Sequence, residues 1–179
     1  MELGKRLVQV YTGAGKGKTT AALGQVIRAA GHGFKSYFFM FLKSEVSIMG
    51  EIIALDKFQD LIKMECFDIR YDIFKKKSRV EIEIICAACS RMMRKVREKM
   101  KEDVDIIVLD EVNCAVNLGY IREEEVINLI KEKPKNIELI LTGRNATQEI
   151  IKMADLVTEM LMIKHPYTNK VVARKGIEY

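Results

Sequence analysis

Residues 12–20 have the sequence Thr-Gly-Ala-Gly-Lys-Gly-Lys-Thr-Thr, and this stretch predicts the fold of the chain. The apolar run before it contains Leu7, Val8 and Val10 and is typical of a β-strand. The alanine-rich segment Thr19–Ala30 that follows is typical of an α-helix. Because a glycine-rich turn between a strand and a helix can wrap its N–H groups around phosphates, the stretch is predicted to be a phosphate-binding loop.

Each residue type in this loop has a chemical use. The glycines at positions 13, 15 and 17 allow positive φ angles and a close approach of other backbone. Lys18 offers an ammonium group to phosphate oxygens, and the hydroxyl of Thr19 can bind a magnesium ion that bridges them. A merely flexible turn is the alternative, but it does not account for three glycines, a Gly-Lys-Thr sequence and a strand-to-helix position together.

The loop departs at one position from the general pattern Gly-x-x-x-x-Gly-Lys-[Ser/Thr]. Counted back from Gly17, the place of the first glycine is taken by Thr12, so that the loop starting at Gly13 is one residue short. The geometry of ordinary kinases and ATPases is therefore not assumed for this chain.

Two carboxylates, Asp110 and Glu111, end an apolar run that begins after Asp105. An unbroken apolar run of this kind is typical of a strand covered on both faces in a parallel sheet. Ligands of open α/β sheets bind at the carboxyl ends of the strands. We expect this pair to bind magnesium directly or through water, with a solvated strand end as the alternative.

Strands and helices are predicted to alternate along the rest of the chain. Further strands are expected at Ser36–Leu42, Ile62–Phe67, Asp105–Asp110, Ile137–Thr142, Leu156–Ile163 and Val171–Arg174. Further helices are expected at Gly50–Phe58, Ser78–Met100 and Glu123–Lys131. One more helix is expected to begin at a cap formed by Asn145 and Gln148 and to end before Asp155. This alternation predicts an α/β fold with a mostly parallel, doubly wound sheet and helices on both faces.

The helix at Ser78–Met100 carries the clearest local signals. Ser78 and Glu81 are spaced as a capping box. Its buried stripe is predicted, at a spacing of four residues, to contain Ile84, Ala88, Met92, Val96 and Met100. The lone Cys86-x-x-Cys89 pair lies in this helix and is expected to pack in the core, because no second pair completes a zinc site.

Composition limits the classes of function. A chain of 179 residues fits one domain, here 1–179, and 49% hydrophobic with 31% charged residues is typical of a globular protein. The formal charge of +5 is modest, so no nucleic-acid partner is expected. No apolar run reaches the ~20 residues of a membrane span and no signal peptide is recognised, so a cytoplasmic location is expected. His32 and His165 are assigned no metal.

Blocks in a fixed order along nearly the whole chain resemble the P-loop ATP:corrinoid adenosyltransferases, also called cob(I)alamin adenosyltransferases. The shortened phosphate loop matches theirs. The blocks are Val10–Ala22, Val108–Asn113, Leu141–Arg144, Ala154–Met160, Lys164–Pro166 and Lys175–Tyr179.

This resemblance implies a RecA-like P-loop fold, usually a homodimer, that binds MgATP with the nucleotide reversed relative to ordinary P-loop enzymes. Thr19 and Glu111 would hold magnesium, and Lys18 with Glu111 would be catalytic. Arg28, Asn113 and Arg144 fall at family-like positions without assigned contacts. The triphosphate would be held by Gly13, Ala14, Gly15, Lys16, Gly17, Lys18, Thr19 and Thr20.

The sequence departs from the family at two places. Members often have an N-terminal extension that helps cover the site, whereas here a strand begins almost at once, so a lid is expected to come from elsewhere or to be missing. Some members place a Phe and a Trp against the corrin ring; Phe74 aligns with the former, but the chain has no Trp, and Lys76 takes its place. Phe67 and Tyr71 are further candidates for corrinoid contacts, with ordinary loop packing as the alternative.

The activity implied by the resemblance is transfer of the 5′-deoxyadenosyl group of ATP to the Co(I) centre of a reduced corrinoid, with release of triphosphate. A flavoprotein electron donor is implied as well. Such a donor could dock on the basic cluster Lys75, Lys76, Lys77 and Arg79, for which a solvated surface is the alternative. Two other functions stay open: a RecA-like ATPase, and a regulator that binds ATP or corrinoid without turnover.

Overall fold

Six parallel β-strands form one sheet in a computed structural model, which describes residues 4–43, 49–67, 69 and 75–178. The strands are β1 (Val8–Thr12), β2 (Ser36–Met40), β3 (Ile62–Cys66), β4 (Ile106–Asp110), β5 (Glu138–Thr142) and β6 (Leu156–Glu159). The α-helices are α1 (Lys18–Ala30), α2 (Gly50–Leu55), α3 (Arg79–Lys99), α4 (Val112–Asn117), α5 (Glu123–Glu132) and α6 (Gln148–Met153). Short 3-10 helices occur at Asp56–Phe58 and Pro166–Asn169.

The strands lie in the spatial order β3-β2-β4-β5-β1-β6, and every neighbouring pair is parallel. The strand that precedes the glycine-rich loop and the strand that carries Asp110 are thus separated only by β5. Because all strands run the same way, their carboxyl ends meet at one edge of the sheet. The six-stranded parallel sheet confirms the predicted α/β fold and agrees with a P-loop fold.

Alternate side chains of the strands enter two separate cores. Phe39 of β2 and Leu109 of β4 pack with α3 to α6 on one face, while Phe38 and Val108 pack with α1 and α2 on the other. All five residues of β4 and all five of β5 are buried, as expected for strands of a parallel sheet that is covered on both faces. The prediction of helices on both faces of the sheet is therefore confirmed.

Two predicted strands differ from the structure by more than two residues. β6 ends at Glu159 and not at Ile163, because the backbone at Met160 turns toward the glycine-rich loop, where its carbonyl accepts a hydrogen bond from the N–H of Gly15. The predicted strand Val171–Arg174 is absent from the described residues. Val172 is 76% exposed, and a strand without a neighbour or a core to cover is not stable.

The helix ends differ in detail. α4 was not predicted, since six residues are too few to show a helical period. α6 is capped by Thr147, whose hydroxyl accepts from the N–H of Ile150 at 3.4 Å, and not by Asn145. Asn145 has φ 56°, a left-handed conformation, whereas an N-cap residue needs an extended one.

The predicted capping box of α3 is confirmed, and so is most of its predicted buried stripe, since Ala88, Met92, Val96 and Met100 are buried and Ile84 is the exception. The hydroxyl of Ser78 accepts from the N–H of Glu81 at 3.3 Å, and the N–H of Ser78 donates to the Glu81 carboxylate at 2.8 Å. Ile84 is 49% exposed. A strict spacing of four residues overshoots a 3.6-residue turn and leaves the buried face, so spacings of three and four alternate. The buried residues of α3 are Ile85, Ala88, Cys89, Met92, Met93 and Val96.

No helix in the described part of the chain has the length and apolar character needed to cross a membrane.

The capping box gives a test of stability. Replacing Ser78 by Ala should lower the free energy of unfolding by about 1 kcal/mol, because the first turn of α3 loses its side-chain acceptor. For a chain of this size this corresponds to a fall of about 2–4 °C in Tm, measurable by calorimetry. An unchanged Tm would show that water replaces the cap at no cost.

The same cap predicts a pH dependence. Hydrogen bonds from the backbone of Ser78, and then from Lys75, lower the pKa of Glu81 from 4.5 to about 2. The stabilisation by Glu81 is therefore present above pH 4.5 and is lost as the pH falls from 4.5 toward about 2. The loss of Tm caused by Glu81→Ala should shrink over this range. The control Glu83→Ala, an exposed residue in the same turn, should show a smaller effect at neutral pH; equal effects of both changes at all pH values would contradict this account.

Candidate active site

A cavity of about 400 Å³ lies at the carboxyl ends of β1 and β4. Most of the predicted site residues line it: Ala14, Gly15, Lys16, Gly17, Lys18, Thr19, Thr20 and Glu111. Other residues, for which the sequence predicts no contact with a ligand, also line the cavity: Leu23, Lys43, Gly50, Glu51, Arg144, His165, Gly176, Ile177 and Glu178. Phe74 lies outside the described residues, so its role against a corrinoid stays a prediction.

The glycines of the loop meet two different demands. Gly13 and Gly17 have φ angles of 93° and 118°, which strongly favour glycine. Gly15 does not have a positive φ, so that part of the prediction is wrong. A Cβ atom on Gly15 would instead lie 2.7 Å from the carbonyl oxygens of Met160 and Leu161. The loop is thus pressed against the backbone that follows β6.

This packing uses one of the N–H groups of the loop. The N–H of Gly15 donates to the carbonyl of Met160 at 2.6 Å, and the N–H of Met160 donates to the carbonyl of Thr12 at 2.9 Å. The amide of Gly15 is therefore committed to the fold. The phosphate-binding capacity of the loop must come from its other amides and its cations.

Lys18 begins α1 and is buried inside the loop. Its Nζ donates to the carbonyl oxygens of Gly13 at 2.9 Å and Gly15 at 2.7 Å. Burial lowers the pKa of Lys18, and the nearby charge of Glu111 opposes this shift. The ammonium is held at the start of a 13-residue helix, where the helix dipole also favours an anion.

Asp110 is fully buried and is the centre of a hydrogen-bond network. Its Oδ1 accepts from the hydroxyls of Thr19 at 2.9 Å and Thr142 at 2.6 Å, and its Oδ2 accepts from Lys43 Nζ at 2.6 Å. Lys43 Nζ also donates to Thr19 Oγ1 at 3.0 Å. Burial alone would lower the pKa of Lys43, but the charge of Asp110 and the hydrogen bond to it outweigh burial and raise that pKa.

Glu111 is separated from Asp110 by a sharp change of backbone direction. Its φ is 61°, a left-handed conformation that costs a non-glycine residue about 1–2 kcal/mol. Its N–H donates to Thr142 Oγ1 at 3.0 Å, which fixes this turn. The two carboxylates expected to act as a pair therefore have different surroundings, since Asp110 is buried and Glu111 lines the cavity.

The chemistry of the donors fits a magnesium ion that arrives with phosphates. Among the described residues no group of three or more His, Cys, Asp or Glu side chains is placed to hold a metal alone. Magnesium is usually bound by one or two carboxylates together with the phosphates of a substrate. The hydroxyl of Thr19 and the carboxylate of Glu111 are oxygen donors at this edge of the cavity and would complete such a set.

Arg28, Asn113 and Arg144 were expected at family-like positions without assigned contacts, and one of the three lies at the cavity. Arg144 lines it and lowers the pKa of Lys18 through its charge, although burial is the larger cause. Arg28 is exposed on α1 and donates to Gln25. Asn113 is fully buried in α4, and neither polar atom of its side chain has a hydrogen-bond partner among the described residues.

The segment 174–178 closes one side of the loop, which no local sequence signal predicts. Lys16 Nζ donates to the carbonyl of Ile177 at 2.8 Å and to Glu178 at 2.9 Å. Hydrogen bonds from Arg174, and then from Lys16, lower the pKa of Glu178 to about 2. Lys16 is therefore held toward this segment by an anionic side chain.

Of the three aromatic residues that are candidates for a corrinoid contact, Phe67 is the one that the structure describes. Phe67 is buried in the core on the α3 side of the sheet, so its alternative role of ordinary packing is the one observed. Tyr71, like Phe74, lies outside the described residues. Cys89 of the Cys-x-x-Cys pair is also buried in this core.

The packing of the loop gives a paired prediction. Gly15→Ala should destabilise the protein by about 2 kcal/mol or more, because the new methyl group must push the backbone at residues 160–161 away. Gly24→Ala is the matched control, since nothing lies within 4 Å of its Cβ position on α1. It should stabilise the protein by about 0.5–1 kcal/mol. Urea unfolding measures both changes, and a Gly15→Ala variant as stable as the parent would contradict the close approach.

Comparisons with known proteins agree with this geometry. Residues 4–179 match the family described as ATP:corrinoid adenosyltransferase BtuR/CobO/CobP. The chain is 33% identical over 178 residues to a corrinoid adenosyltransferase of Sinorhizobium sp, covering 98% of this chain and 81% of that protein. It is 32% identical over 174 residues to the corrinoid adenosyltransferase of Escherichia coli K12, covering 97% and 85% of the two chains. A third corrinoid adenosyltransferase, from Pseudomonas aeruginosa, is 32% identical over 170 residues, 95% of this chain and 82% of that protein. The match of nearly the whole chain, on a parallel sheet whose phosphate loop lines the cavity, places this protein in the ATP:corrinoid adenosyltransferase family.

Proposed function

We propose that this protein transfers the 5′-deoxyadenosyl group of ATP to the Co(I) centre of a reduced corrinoid and releases triphosphate. The observation that carries the proposal is the match of residues 4–179 to one family, together with relatives named as corrinoid adenosyltransferases. The cavity supports it, because two glycines, two lysines and two threonines of the phosphate loop line the same space as Glu111 and Arg144.

The reaction is an in-line displacement at the 5′ carbon of the ribose. The electron pair of Co(I) forms the cobalt–carbon bond while the bond from C5′ to the triphosphate oxygen breaks, and the triphosphate leaves with that electron pair. Co(I) carries no proton, so the reaction needs no general base from the protein. The enzyme has to align the cobalt with the carbon and stabilise the charge that grows on the triphosphate.

The residues of the loop supply this stabilisation. Lys18 is held inside the loop at the start of α1, so its charge is already in place and costs little reorganisation during the reaction. Residues Gly13 to Thr20 would hold the triphosphate, and Arg144, which also lines the cavity, would add a further positive charge. Thr19 and Glu111 would hold a magnesium ion, which supplies further positive charge to the phosphate oxygens when it is bound.

The two alternatives that the sequence leaves open are disfavoured. A RecA-like ATPase would release ADP and phosphate, and a regulator would bind ATP without turnover. The three relatives described above, which match at least 95% of this chain, are all named as transferases. We therefore place the chain among ATP-dependent transferases of a 5′-deoxyadenosyl group.

A single assay tests the proposal. The protein is incubated with MgATP and chemically reduced cobalamin, and the products are followed by absorbance and ion-exchange chromatography. We expect a light-sensitive product with a cobalt–carbon bond and intact triphosphate in equal amounts. Recovery of ADP and phosphate, or binding of ATP without either product, would contradict the proposed function.

The role of Lys18 gives a quantitative prediction for the same assay. Lys18→Ala should lower kcat by about 10² to 10³, the loss seen when a positioned electrostatic donor is removed. Lys63→Ala is the control, because Lys63 is exposed on β3 and does not line the cavity. It should keep the activity of the parent, and circular dichroism should show that both variants are folded. Near-normal turnover by the Lys18 variant would refute the assignment.

Two partners complete the proposal: a second copy of this chain, as a homodimer, and a flavoprotein that supplies the electron for Co(I). The flavoprotein would dock through an acidic surface on the basic cluster Lys75, Lys76, Lys77 and Arg79. Lys75 already pairs with Glu81 at 2.9 Å and Arg79 with Glu83 at 3.3 Å. Lys76 and Lys77 lie between these two paired residues in the sequence.

Charge reversal of those two lysines tests the docking site. The double variant Lys76→Glu and Lys77→Glu should slow turnover driven by a reduced flavoprotein and weaken its dependence on salt, since long-range attraction is screened by ions. Turnover with a chemical reductant serves as the control and should not change. A flavoprotein-driven rate that is unchanged and independent of salt would exclude docking at this cluster.

A further inference from the structure

Lys43 has no part in the chemistry set out above, yet it reaches the centre of the site. It lies just beyond the carboxyl end of β2, next to β4, and its carbonyl accepts from the N–H of Phe67 at 3.3 Å. Leu42, immediately before it, has φ 57°, a left-handed conformation that is unusual for a bulky residue. Strained backbone of this kind is found where a site requires it, so the position of Lys43 is a feature to be explained.

The ammonium of Lys43 lies between two oxygens that P-loop proteins commonly direct toward a metal. Its Nζ is 2.6 Å from Asp110 Oδ2 and 3.0 Å from Thr19 Oγ1. In P-loop nucleoside triphosphatases, magnesium is held by the hydroxyl of the loop Ser/Thr and by the Asp that ends a neighbouring strand. Thr19 and Asp110 occupy these two positions here, and both are bonded to Lys43 and to each other.

The contact is largely shielded from water. The side chain of Asp110 is 0% exposed and that of Lys43 is 23% exposed, in contrast to surface pairs such as Lys35 with Asp103, at 51% and 92%. Charges in such surroundings interact more strongly than charges in water. A divalent ion that approached Thr19 and Asp110 would therefore be repelled by the ammonium that already neutralises them.

We infer that Lys43 is a resident cation that competes with the divalent metal for Thr19 and Asp110. The inference rests on the proposed function in one respect, since the metal concerned is the one that accompanies ATP. Metal alone then binds weakly, because it must displace an ammonium from a buried carboxylate. Metal that arrives with a triphosphate binds better, because the displaced ammonium lies in the same cavity as the phosphate loop and can reach the phosphate oxygens.

This makes Lys43 a positioning residue for the metal and the nucleotide together. While the site is empty, it keeps the hydroxyl of Thr19 and the carboxylate of Asp110 in place. When both ligands arrive, it exchanges an internal anion for an anion of the substrate. The simpler alternative is that Lys43 only neutralises Asp110 and has no effect on metal binding.

Binding of Mn²⁺ without nucleotide separates the two accounts. Free Mn²⁺ is measured by electron paramagnetic resonance with the parent, with Lys43→Met and with the surface control Lys35→Met. Removal of a positive charge next to the ion should tighten Mn²⁺ binding by about tenfold or more in Lys43→Met, and the control should match the parent. An affinity for Mn²⁺ that is unchanged or weaker in Lys43→Met would overturn the inference.

The extra affinity of Lys43→Met for Mn²⁺ must also depend on the oxygens of Thr19 and Asp110. Adding Thr19→Ala to Lys43→Met should abolish most of the extra affinity for Mn²⁺, because the ion loses the hydroxyl that Lys43 formerly occupied. An extra affinity that survives this second change would place the ion elsewhere and would contradict the inference.

Thermal unfolding gives a second measurement that remains informative if a variant is less stable than the parent. In EDTA, Lys43→Met should have a lower Tm than the parent, because a buried carboxylate has lost its partner. Addition of Mg²⁺ should raise the Tm of Lys43→Met more than that of the parent, and the same result is expected for Lys43→Gln. A purely structural lysine would lower the Tm in both conditions equally, and that outcome would refute competition.

The samples for these measurements contain neither ATP nor corrinoid. A failure to detect adenosyl transfer would therefore leave them intact and would count against the proposed function alone. A failure of the Mn²⁺ measurements would remove the role of Lys43 without affecting the transferase assignment.

Discussion

The site depends on one buried carboxylate, that of Asp110. A charge that is removed from water is tolerated only when hydrogen bonds and an opposite charge replace the lost hydration. The partners of Asp110 come from three other parts of the fold: Thr19 at the start of α1, Thr142 at the end of β5, and Lys43 beyond the end of β2. The network therefore fixes the relative positions of the phosphate loop and three strand ends. Its geometry requires these segments to meet at one edge, which the parallel order of the sheet provides.

The network also explains why neighbouring acidic residues differ in use. Thr142 donates to Asp110 and accepts from the N–H of Glu111, so that one hydroxyl holds both residues. The left-handed turn at Glu111 then separates the carboxylates into a buried one and one at the cavity. Two consecutive residues thus supply one carboxylate to the buried network and one to the wall of the cavity.

Much of this fold could be predicted because its signals are local. The glycine-rich loop, the apolar run at 106–110 and the capping box at Ser78 each depend on residues close in sequence, and all three lie where they were expected. Contacts between distant residues carry no such signal. The bond of Lys16 to Glu178 spans 162 positions, and that of Lys43 to Asp110 spans 67. The predicted strand Val171–Arg174 was wrong for a related reason, since β-branched residues favour a strand only where a neighbouring strand is present.

The way in which the loop is braced has a consequence for how this sequence can vary. The contacts of Gly13 and Gly15 with the segment after β6 are made mainly to main-chain atoms of Met160 and Leu161. Main-chain atoms are the same for every residue type except proline, so substitutions at these two positions preserve the brace. An insertion or deletion between β6 and residue 161 would shift the carbonyl groups out of register with the glycines. The spacing of this segment, more than the identity of its residues, is therefore the property that evolution has to keep.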